Sequence, residues 1–286
     1  MAQLSRNSPI GIFDSGIGGL TVAGELAKTL PAEKFIYIGD NANFPYGTRD
    51  AYDIQRSVVQ IGTWLQNRGC KLIIIACNTA TAAGLEVAQN SLNIPVVGVI
   101  KPGAVTAAST SKNRNIGILA TRATINSHAY KQAIKAIDPG FSVVEVAAQM
   151  FVDIAENQLP ACAQYNDGAD GKYPAEVQDP LEEIAAEYCK PIIKHNCDTV
   201  ILGCTHFPFL KPAIEAVLPQ VNLVSPSAEC ILGAKKILEG QNLLNDGVPE
   251  FASNKFYTTG NSTDKFIEFG KKVFSVNSLQ VNHLEL

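Results

Sequence analysis

The sequence lacks the features that mark several large classes of protein. No basic tract is interleaved with aromatic residues, and the 286 residues carry a formal net charge of −4 at pH 7. Nucleic-acid binding usually needs a cationic face for the phosphates, so we expect no nucleic-acid partner. No stretch holds about 18 uninterrupted apolar residues, and the opening MAQLSRNSPIGIF lacks the apolar run of a signal peptide. These absences predict a cytoplasmic protein with no membrane partner.

Cysteine and histidine are present, but not at the spacings of metal sites. The seven Cys contain no CxxC pair, and the four His contain no HxxxH pair. Zinc sites and redox dithiols need such pairs. We therefore predict reduced thiols and no metal site.

Cofactor motifs are also missing. In DSGIGGLT (14–21), Thr21 stands where a dinucleotide-binding motif needs its last glycine, and no P-loop ending follows. The lysines are spread along predicted helix faces, without a phosphate cup for pyridoxal phosphate. We predict no cofactor and interpret DSGIGGLT as a loop that offers backbone N–H groups and the Ser15 hydroxyl to a small anion.

Strand and helix patterns alternate along the chain. Short β-branched runs such as KFIYIG (34–39), KLIIIA (71–76) and DTVILG (198–203) are separated by longer helical segments. Such near-continuous apolar strands are typical of parallel sheets that helices cover on both faces. We predict an α/β fold, in which ligands bind beyond the carboxyl ends of the strands.

The chain also contains an internal repeat. The repeated segments are IGIFDSGIGG (10–19) with IGILATRATI (116–125), and KLIIIACNTA (71–80) with DTVILGCTHF (198–207). In each copy the first strand ends in a hydroxyl residue, Ser15 or Thr121, and a later strand ends in Cys. The repeat predicts two pseudo-symmetric domains, each a mainly parallel sheet flanked by helices, with the active site in the cleft between them.

The repeat also sets the expected domain bounds. We assign residues 1–99 and 211–286 to a discontinuous first domain and residues 100–210 to the second, because the second copy ends shortly after Cys204. The Pro-, Gly- and Asp-rich segment 159–180 has the composition of an inserted surface loop. A solvated excursion, a lid and a subunit contact are the alternatives for its role.

Cys77 and Cys204 are the strongest functional signal. A Cys between a strand and a helix is usually an inert buried residue, but here the same residue type recurs at the same place in both copies. Two acid–base groups on opposite faces of one carbon are what inversion of a stereocentre needs. A thiolate at neutral pH needs help from its neighbours, and Asp14 and His206 are the candidates. A turn or N-cap role for Asp14 and a structural role for His206 are the alternatives.

The loop GDNANFPYGTRD (39–50) is a further candidate. It follows the second predicted strand and combines turn formers, aromatic residues and Gly47. This composition is typical of an ordered loop over a site, although a plain connection has the same composition.

Together these segments resemble the glutamate racemase family, within the cofactor-independent aspartate/glutamate racemase superfamily. The matching motifs are IGIFDSGIGGLTV (10–22), FPYG (44–47), ACNTAT (76–81), PVVGVIKPG (95–103), ATRATI (120–125) and LGCTHFPFL (202–210). The resemblance implies interconversion of L- and D-glutamate without a cofactor, which supplies D-glutamate for bacterial peptidoglycan precursors.

The resemblance also implies roles for single residues. Cys77 and Cys204 are implied as the two bases, with Asp14 beside the first and His206 beside the second. Besides Asp14 and His206, the implied substrate contacts are Ser15, Tyr46, Gly47, Asn78, Thr79, Thr121, Thr124 and Thr205. The segment AAQMFVDIAEN (147–157) departs from the family pattern CPxLVPLVE, and its Glu156 is a candidate for the acidic residue near the second Cys.

Two other functions stay open from the residues alone. One is a racemase of the same fold that acts on aspartate or another amino acid, and the other is a non-catalytic binder of small anions. The expected partner is a small molecule, glutamate by resemblance. For the assembly, a homodimer is one candidate.

Overall fold

The computed structural model describes residues 4–162, 175–248 and 250–286, which form two compact units. The first unit consists of Met1–Val99 and Ser227–Leu286, and the second of Ile100–Pro226. The chain therefore leaves the first unit once and returns to it.

Strands and helices alternate along the described residues, except at two places where two helices follow each other. The strands are β1 (Ile10–Asp14), β2 (Phe35–Gly39), β3 (Leu72–Ile75), β4 (Val96–Gly98), β5 (Asn115–Ala120), β6 (Ser142–Ala147), β7 (Thr199–Gly203), β8 (Asn222–Val224), β9 (Lys255–Thr258) and β10 (Val281–His283). The helices are α1 (Leu20–Thr29), α2 (Ala51–Asn67), α3 (Asn78–Ser91), α4 (Ile100–Thr110), α5 (Arg122–Asn126), α6 (Ala129–Ile137), α7 (Met150–Cys162), α8 (Ala175–Lys194), α9 (Lys211–Val217), α10 (Ser227–Gly240) and α11 (Asp264–Phe274). Short 3₁₀ turns cover Asn41–Asn43, Tyr46–Thr48, Phe207–Leu210 and Phe251–Ser253.

Each unit contains one parallel sheet. The strand order is β10-β9-β2-β1-β3-β4 in the first unit and β6-β5-β7-β8 in the second. The central strands β1, β3 and β7 are buried along their whole length, as expected for parallel strands covered on both faces. The α/β fold with two parallel sheets flanked by helices is therefore confirmed.

The repeat is visible in the pairing of the strands. The order β2-β1-β3-β4 in the first sheet corresponds to β6-β5-β7-β8 in the second. The register corresponds as well, because Gly11 pairs with Ile73 and Gly117 pairs with Val200. Cys77 comes four residues after Ile73, and Cys204 comes four residues after Val200. The two cysteines therefore occupy equivalent places in the two sheets.

Two details of the predicted organisation are wrong. Residues 211–226 do not join the first unit, because β8 continues the second sheet by pairing with β7. Segment 159–180 is not a loop throughout, because its two ends belong to helices α7 and α8. The part of that predicted insertion between these helices, 163–174, lies outside the described residues.

None of the helices in the described part of the chain is both long enough and apolar enough to cross a membrane.

Candidate active site

Cys77 lies at the carboxyl end of β3, where it is the N-cap of α3. Its Sγ accepts a hydrogen bond from the backbone N–H of Ala80, with a donor–acceptor distance of 3.4 Å. The thiol also lies 3.7 Å from the hydroxyl oxygen of Ser15, to which it can donate. Backbone N–H groups and the dipole at a helix N-terminus stabilise negative charge. The position therefore suits a sulfur that becomes a thiolate.

Asp14 and Ser15 follow β1, the strand next to β3. Asp14 is fully buried, and its Oδ1 accepts a hydrogen bond from the N–H of Gly16 at 2.9 Å. This contact gives Asp14 the turn role that the sequence left as an alternative. Gly19 is required nearby, because a Cβ at this position would lie 2.4 Å from the Cβ of Asp14. The loop after β1 is thus folded tightly around Asp14, beside the Ser15 hydroxyl that contacts Cys77.

Asn78 and Thr79 are the first two residues of α3. Both are almost completely buried. The sequence places them directly after Cys77 at the same carboxyl edge of the first sheet. They therefore belong to the group of predicted site residues around Cys77.

Tyr46 and Gly47 lie in a 3₁₀ turn of the loop between β2 and α2, and both are buried. The hydroxyl of Tyr46 donates a hydrogen bond to Oδ2 of Asp40. Burial raises the pKa of Tyr46, and the negative charges of Asp40 and Cys77 raise it further. Tyr46 is therefore a neutral hydrogen-bond donor, and its ring belongs to the same buried core cluster as Cys77.

Cys204 occupies the equivalent place after β7 in the second unit. Its Sγ lies 3.7 Å from Nδ1 of His206, and Nε2 of the same ring lies 2.6 Å from Oε1 of Glu156 in α7. The His206 side chain is only 2% exposed. The imidazole thus links a carboxylate to the sulfur, and Glu156 is the acidic residue near Cys204.

The charge state of His206 follows from these two neighbours. Burial alone lowers the pKa of the imidazole, but the hydrogen bonds to Cys204 and Glu156 and the negative charges of both groups outweigh it. The pKa of His206 is held well above its usual range. A positive ring therefore lies beside Sγ of Cys204, at 3.7 Å.

Thr121, Thr124 and Thr205 complete the second group. Thr121 is the N-cap of α5 and accepts a hydrogen bond from the N–H of Thr124 at 3.4 Å, and the two hydroxyl oxygens are 3.0 Å apart. Thr205 directly follows Cys204 and is buried. The structure therefore arranges the predicted site residues in two groups, one at the carboxyl edge of each sheet.

Four further cysteines, Cys70, Cys189, Cys197 and Cys230, are also buried. Burial raises the pKa to about 12 in Cys70, Cys189 and Cys230, and to about 11 in Cys197. These thiols stay protonated at neutral pH.

Within the described ranges, no three His, Cys, Asp or Glu side chains are arranged to hold a metal ion.

Two residues of the first group were missed by the sequence analysis. Asp40 follows β2 and holds the Tyr46 hydroxyl, and Thr259 follows β9 and donates a hydrogen bond to Asp40 at 2.7 Å. Both directly follow the carboxyl ends of parallel strands, so a search of every strand end would have found them. Neither residue belongs to the internal repeat, and the loop 39–50, which contains Asp40, stood out only for its turn formers and aromatic residues.

Comparisons with known protein sequences and structures all find racemases. A sequence model of the Asp/Glu/Hydantoin racemase family matches residues 18–231. The chain is similar to the glutamate racemase of Latilactobacillus sakei subsp. sakei, with 40% identity over 98% of this chain and 96% of the relative.

Solved structures agree with the sequence comparisons. A glutamate racemase isoform from Bacillus anthracis has a TM-score of 0.88 and 33% identity, with 98% of each chain covered. The glutamate racemase from Francisella tularensis, solved in complex with D-glutamate, has a TM-score of 0.84 and 33% identity, again with 98% of each chain covered.

Proposed function

This chain belongs to the Asp/Glu/hydantoin racemase family and is an isomerase, and from that premise we propose that it interconverts L-glutamate and D-glutamate by proton transfer between two thiols. The proposal assigns the two transfers to Cys77 and Cys204. One observation carries this assignment. The strands pair in the same register in both sheets, and in each sheet the equivalent strand is followed by a cysteine with polar neighbours.

The proposed reaction needs no external oxidant or cofactor. One cysteine, as thiolate, takes the α-proton of glutamate, and the electron pair of the broken C–H bond remains on the α-carbon. The other cysteine, as thiol, gives its proton to the opposite face of that carbon, so that a new C–H bond forms. The two sulfurs exchange protonation states in one turnover, and the reverse reaction uses them in the opposite roles.

The neighbours of each sulfur support this assignment. At Cys77, the Ala80 N–H and the Ser15 hydroxyl are available to a thiolate. At Cys204, the raised pKa of His206 keeps a positive ring beside the sulfur, and Glu156 holds that ring. Each sulfur thus has polar neighbours, a backbone N–H and a hydroxyl at Cys77 and an imidazole at Cys204.

Hydroxyl and amide groups are proposed to bind the substrate. Glutamate carries two carboxylates and one ammonium, which need both donors and acceptors. The proposed contacts are Asp14, Ser15, Tyr46, Gly47, Asn78, Thr79, Thr121, Thr124, Thr205 and His206. Apart from Asp14 and His206 they are uncharged, so they can satisfy the substrate without burying many opposing charges.

The cellular role is part of the same proposal. Racemisation would supply D-glutamate for peptidoglycan precursors in the cytoplasm. The curated relative of L. sakei that spans nearly the whole chain is named a glutamate racemase, which favours glutamate as the substrate.

Exchange of the α-hydrogen in heavy water tests the function directly. We expect the wild-type protein to convert either pure isomer of glutamate to an equimolar mixture, with loss of the α-proton signal in the proton NMR spectrum. Cys77→Ser and Cys204→Ser should each lose about 10²- to 10⁴-fold in racemisation rate, because a positioned acid–base group contributes about that much.

A matched control is Cys197→Ala, which removes a buried thiol that the proposal does not use. It should racemise glutamate at nearly the wild-type rate. Binding of glutamate without any exchange would identify a non-catalytic binder, and a higher kcat/KM for aspartate would overturn the substrate. Near-wild-type racemisation by either serine variant would overturn the two-thiol mechanism.

A further inference from the structure

Asp40 is the centre of a hydrogen-bond cluster behind Tyr46. Its carboxylate accepts hydrogen bonds from the Tyr46 hydroxyl, from the Asn43 amide at 3.1 Å and from the Thr259 hydroxyl at 2.7 Å. Asp40 is fully buried, so these contacts replace the water that an ionised carboxylate would otherwise bind. The orientation of the carboxylate is therefore set by three side chains.

Thr259 makes two hydrogen bonds to the loop between β2 and α2. Its hydroxyl donates to Oδ1 of Asp40, and the same oxygen accepts a hydrogen bond from the backbone N–H of Ala42 at 3.0 Å. Thr259 reaches the loop from the end of β9, which pairs with β2 in the first sheet. One hydroxyl thus holds both the carboxylate of Asp40 and the backbone that follows it.

A cavity next to Asp40 and Thr259 leaves the hydrogen-bond cluster without close packing on one side. A polar cavity of about 260 Å³ lies behind the loop, and its lining includes Asp40, Ser57, Thr259 and His283. Tight packing therefore does not surround the cluster on that side. Ser57, in the same lining, also hydrogen-bonds to Tyr46. Where packing does not hold a side chain, directional hydrogen bonds determine its position.

We propose that Thr259 is a positioning residue of the racemase: Thr259 fixes Asp40, and Asp40 in turn fixes the hydroxyl of Tyr46, which is proposed to contact the substrate. This inference rests on the proposed function, in which Tyr46 contacts glutamate. Thr259 itself transfers no proton and does not touch the substrate. Its effect on catalysis passes through Asp40 and Tyr46.

The first test is the variant Thr259→Val, which keeps the side-chain shape and removes the hydroxyl. We expect kcat/KM for glutamate to fall at least about tenfold, since a hydrogen bond to a charged group is lost. The loss should be mainly in KM, because Tyr46 is proposed to contact the substrate before and during proton transfer. A purely structural role would reduce the active fraction, and hence kcat, without raising KM.

Two further variants serve as comparisons. Thr259→Ser keeps a hydroxyl and should restore most of kcat/KM. Thr29→Val removes a threonine hydroxyl that also donates to a carboxylate in the first unit, that of Glu25 at 2.9 Å, but in α1. It should leave the kinetics unchanged. Failure of the serine variant to restore KM, or an equal loss in Thr29→Val, would overturn the proposal.

A double-mutant cycle tests the path through Tyr46. In a Tyr46→Phe background the ring can no longer donate to Asp40, so Thr259→Val should change kcat/KM by less than about twofold. An undiminished effect in that background would mean that Thr259 acts by another route, and would contradict the inference.

A crystal structure provides a readout that does not depend on activity. In Thr259→Val, the Tyr46 hydroxyl should have moved out of hydrogen-bonding distance of Asp40; an unchanged contact would overturn the inference. A wild-type protein that exchanges no α-hydrogen of glutamate would defeat the proposed function. Wild-type exchange together with an unchanged KM in Thr259→Val would defeat only the role of Thr259.

Discussion

His206 holds a proton more tightly in the folded protein than a free imidazole would. Burial alone would lower its pKa, yet Cys204 and Glu156 together keep it well above the usual value of about 6.5. A group whose pKa rises on folding contributes stability that is fully present below its unfolded pKa. That stability is lost as the pH rises through the folded pKa.

The variant Glu156→Gln tests this coupling, because it removes one of the negative charges that raise the pKa of His206. The free energy of unfolding of the wild type should fall relative to that of Glu156→Gln as the pH rises above about 6.5. Urea unfolding of both proteins between about pH 6 and pH 9 measures the difference. In a His206→Asn background the difference should no longer depend on pH, and parallel curves for wild type and Glu156→Gln would contradict the assignment.

The internal repeat singled out Cys77 and Cys204, and the family resemblance added Tyr46, Gly47 and Glu156, but Asp40 and Thr259 had neither signal. Cys77 and Cys204 stood out because the same motif precedes both, so each supported the other. Asp40 and Thr259 are 219 positions apart and meet only because β9 pairs with β2. A contact of that range has no local sequence signal.

At the scale of elements, α3 is placed by its contact with α2. Gly84 of α3 faces Val58 of α2, and a Cβ on Gly84 would lie 2.8 Å from Cγ2 and 3.0 Å from Cβ of Val58. Valine is stiff at χ1 in a helix, so it cannot easily turn away. The missing side chain at Gly84 therefore allows the two helices to approach, and α3 carries Cys77 at its N-terminus.

Gly84→Ala should therefore destabilise the protein even though alanine favours helix. Overpacking costs about 1–3 kcal/mol, whereas the gain in helix propensity is about 1 kcal/mol. We expect a net loss of about 1 kcal/mol in urea unfolding.

The double variant Val58→Ala/Gly84→Ala should lose less stability than the sum of the two single variants, because the second substitution makes room for the first. Additive losses, or a stabilised Gly84→Ala, would show that the contact does not limit the approach of the helices.

The sequence predicted most strands because they are apolar and β-branched. It missed β10, whose three residues Val281–His283 are too short and too polar to stand out. It also placed β8 in the wrong domain, because the repeat motif ends before that strand begins. Which sheet a short strand joins depends on pairing with distant residues, here Thr199 with Asn222.

At the scale of the whole chain, a buried ion pair joins separate parts of the first unit. Lys71 and Glu33 have fully buried side chains, and Nζ lies 2.6 Å from Oε2. The same ammonium donates to the carbonyl oxygens of Arg6 and Leu243, and Glu33 accepts from the N–H of Asn245. The pair therefore connects the two chain segments that form this unit.

Lys71→Met should be strongly destabilising, by about 3–5 kcal/mol, because it leaves the Glu33 carboxylate buried without a neighbouring positive charge. Adding Glu33→Gln should recover part of the loss, since glutamine is neutral and can still accept from Asn245. Urea unfolding of the three proteins measures both effects. If Lys71→Met were as stable as the wild type, water would have to reach the Glu33 carboxylate, contrary to its burial.

The discontinuity of the first unit has a consequence for synthesis. A ribosome makes the whole second unit before it reaches β9 and β10, so the second sheet can form while the first still lacks two strands. Thr259 is translated after both cysteines. Because Thr259 lies in the last tenth of the 286 residues, its hydrogen bond to Asp40 can form only near the end of translation.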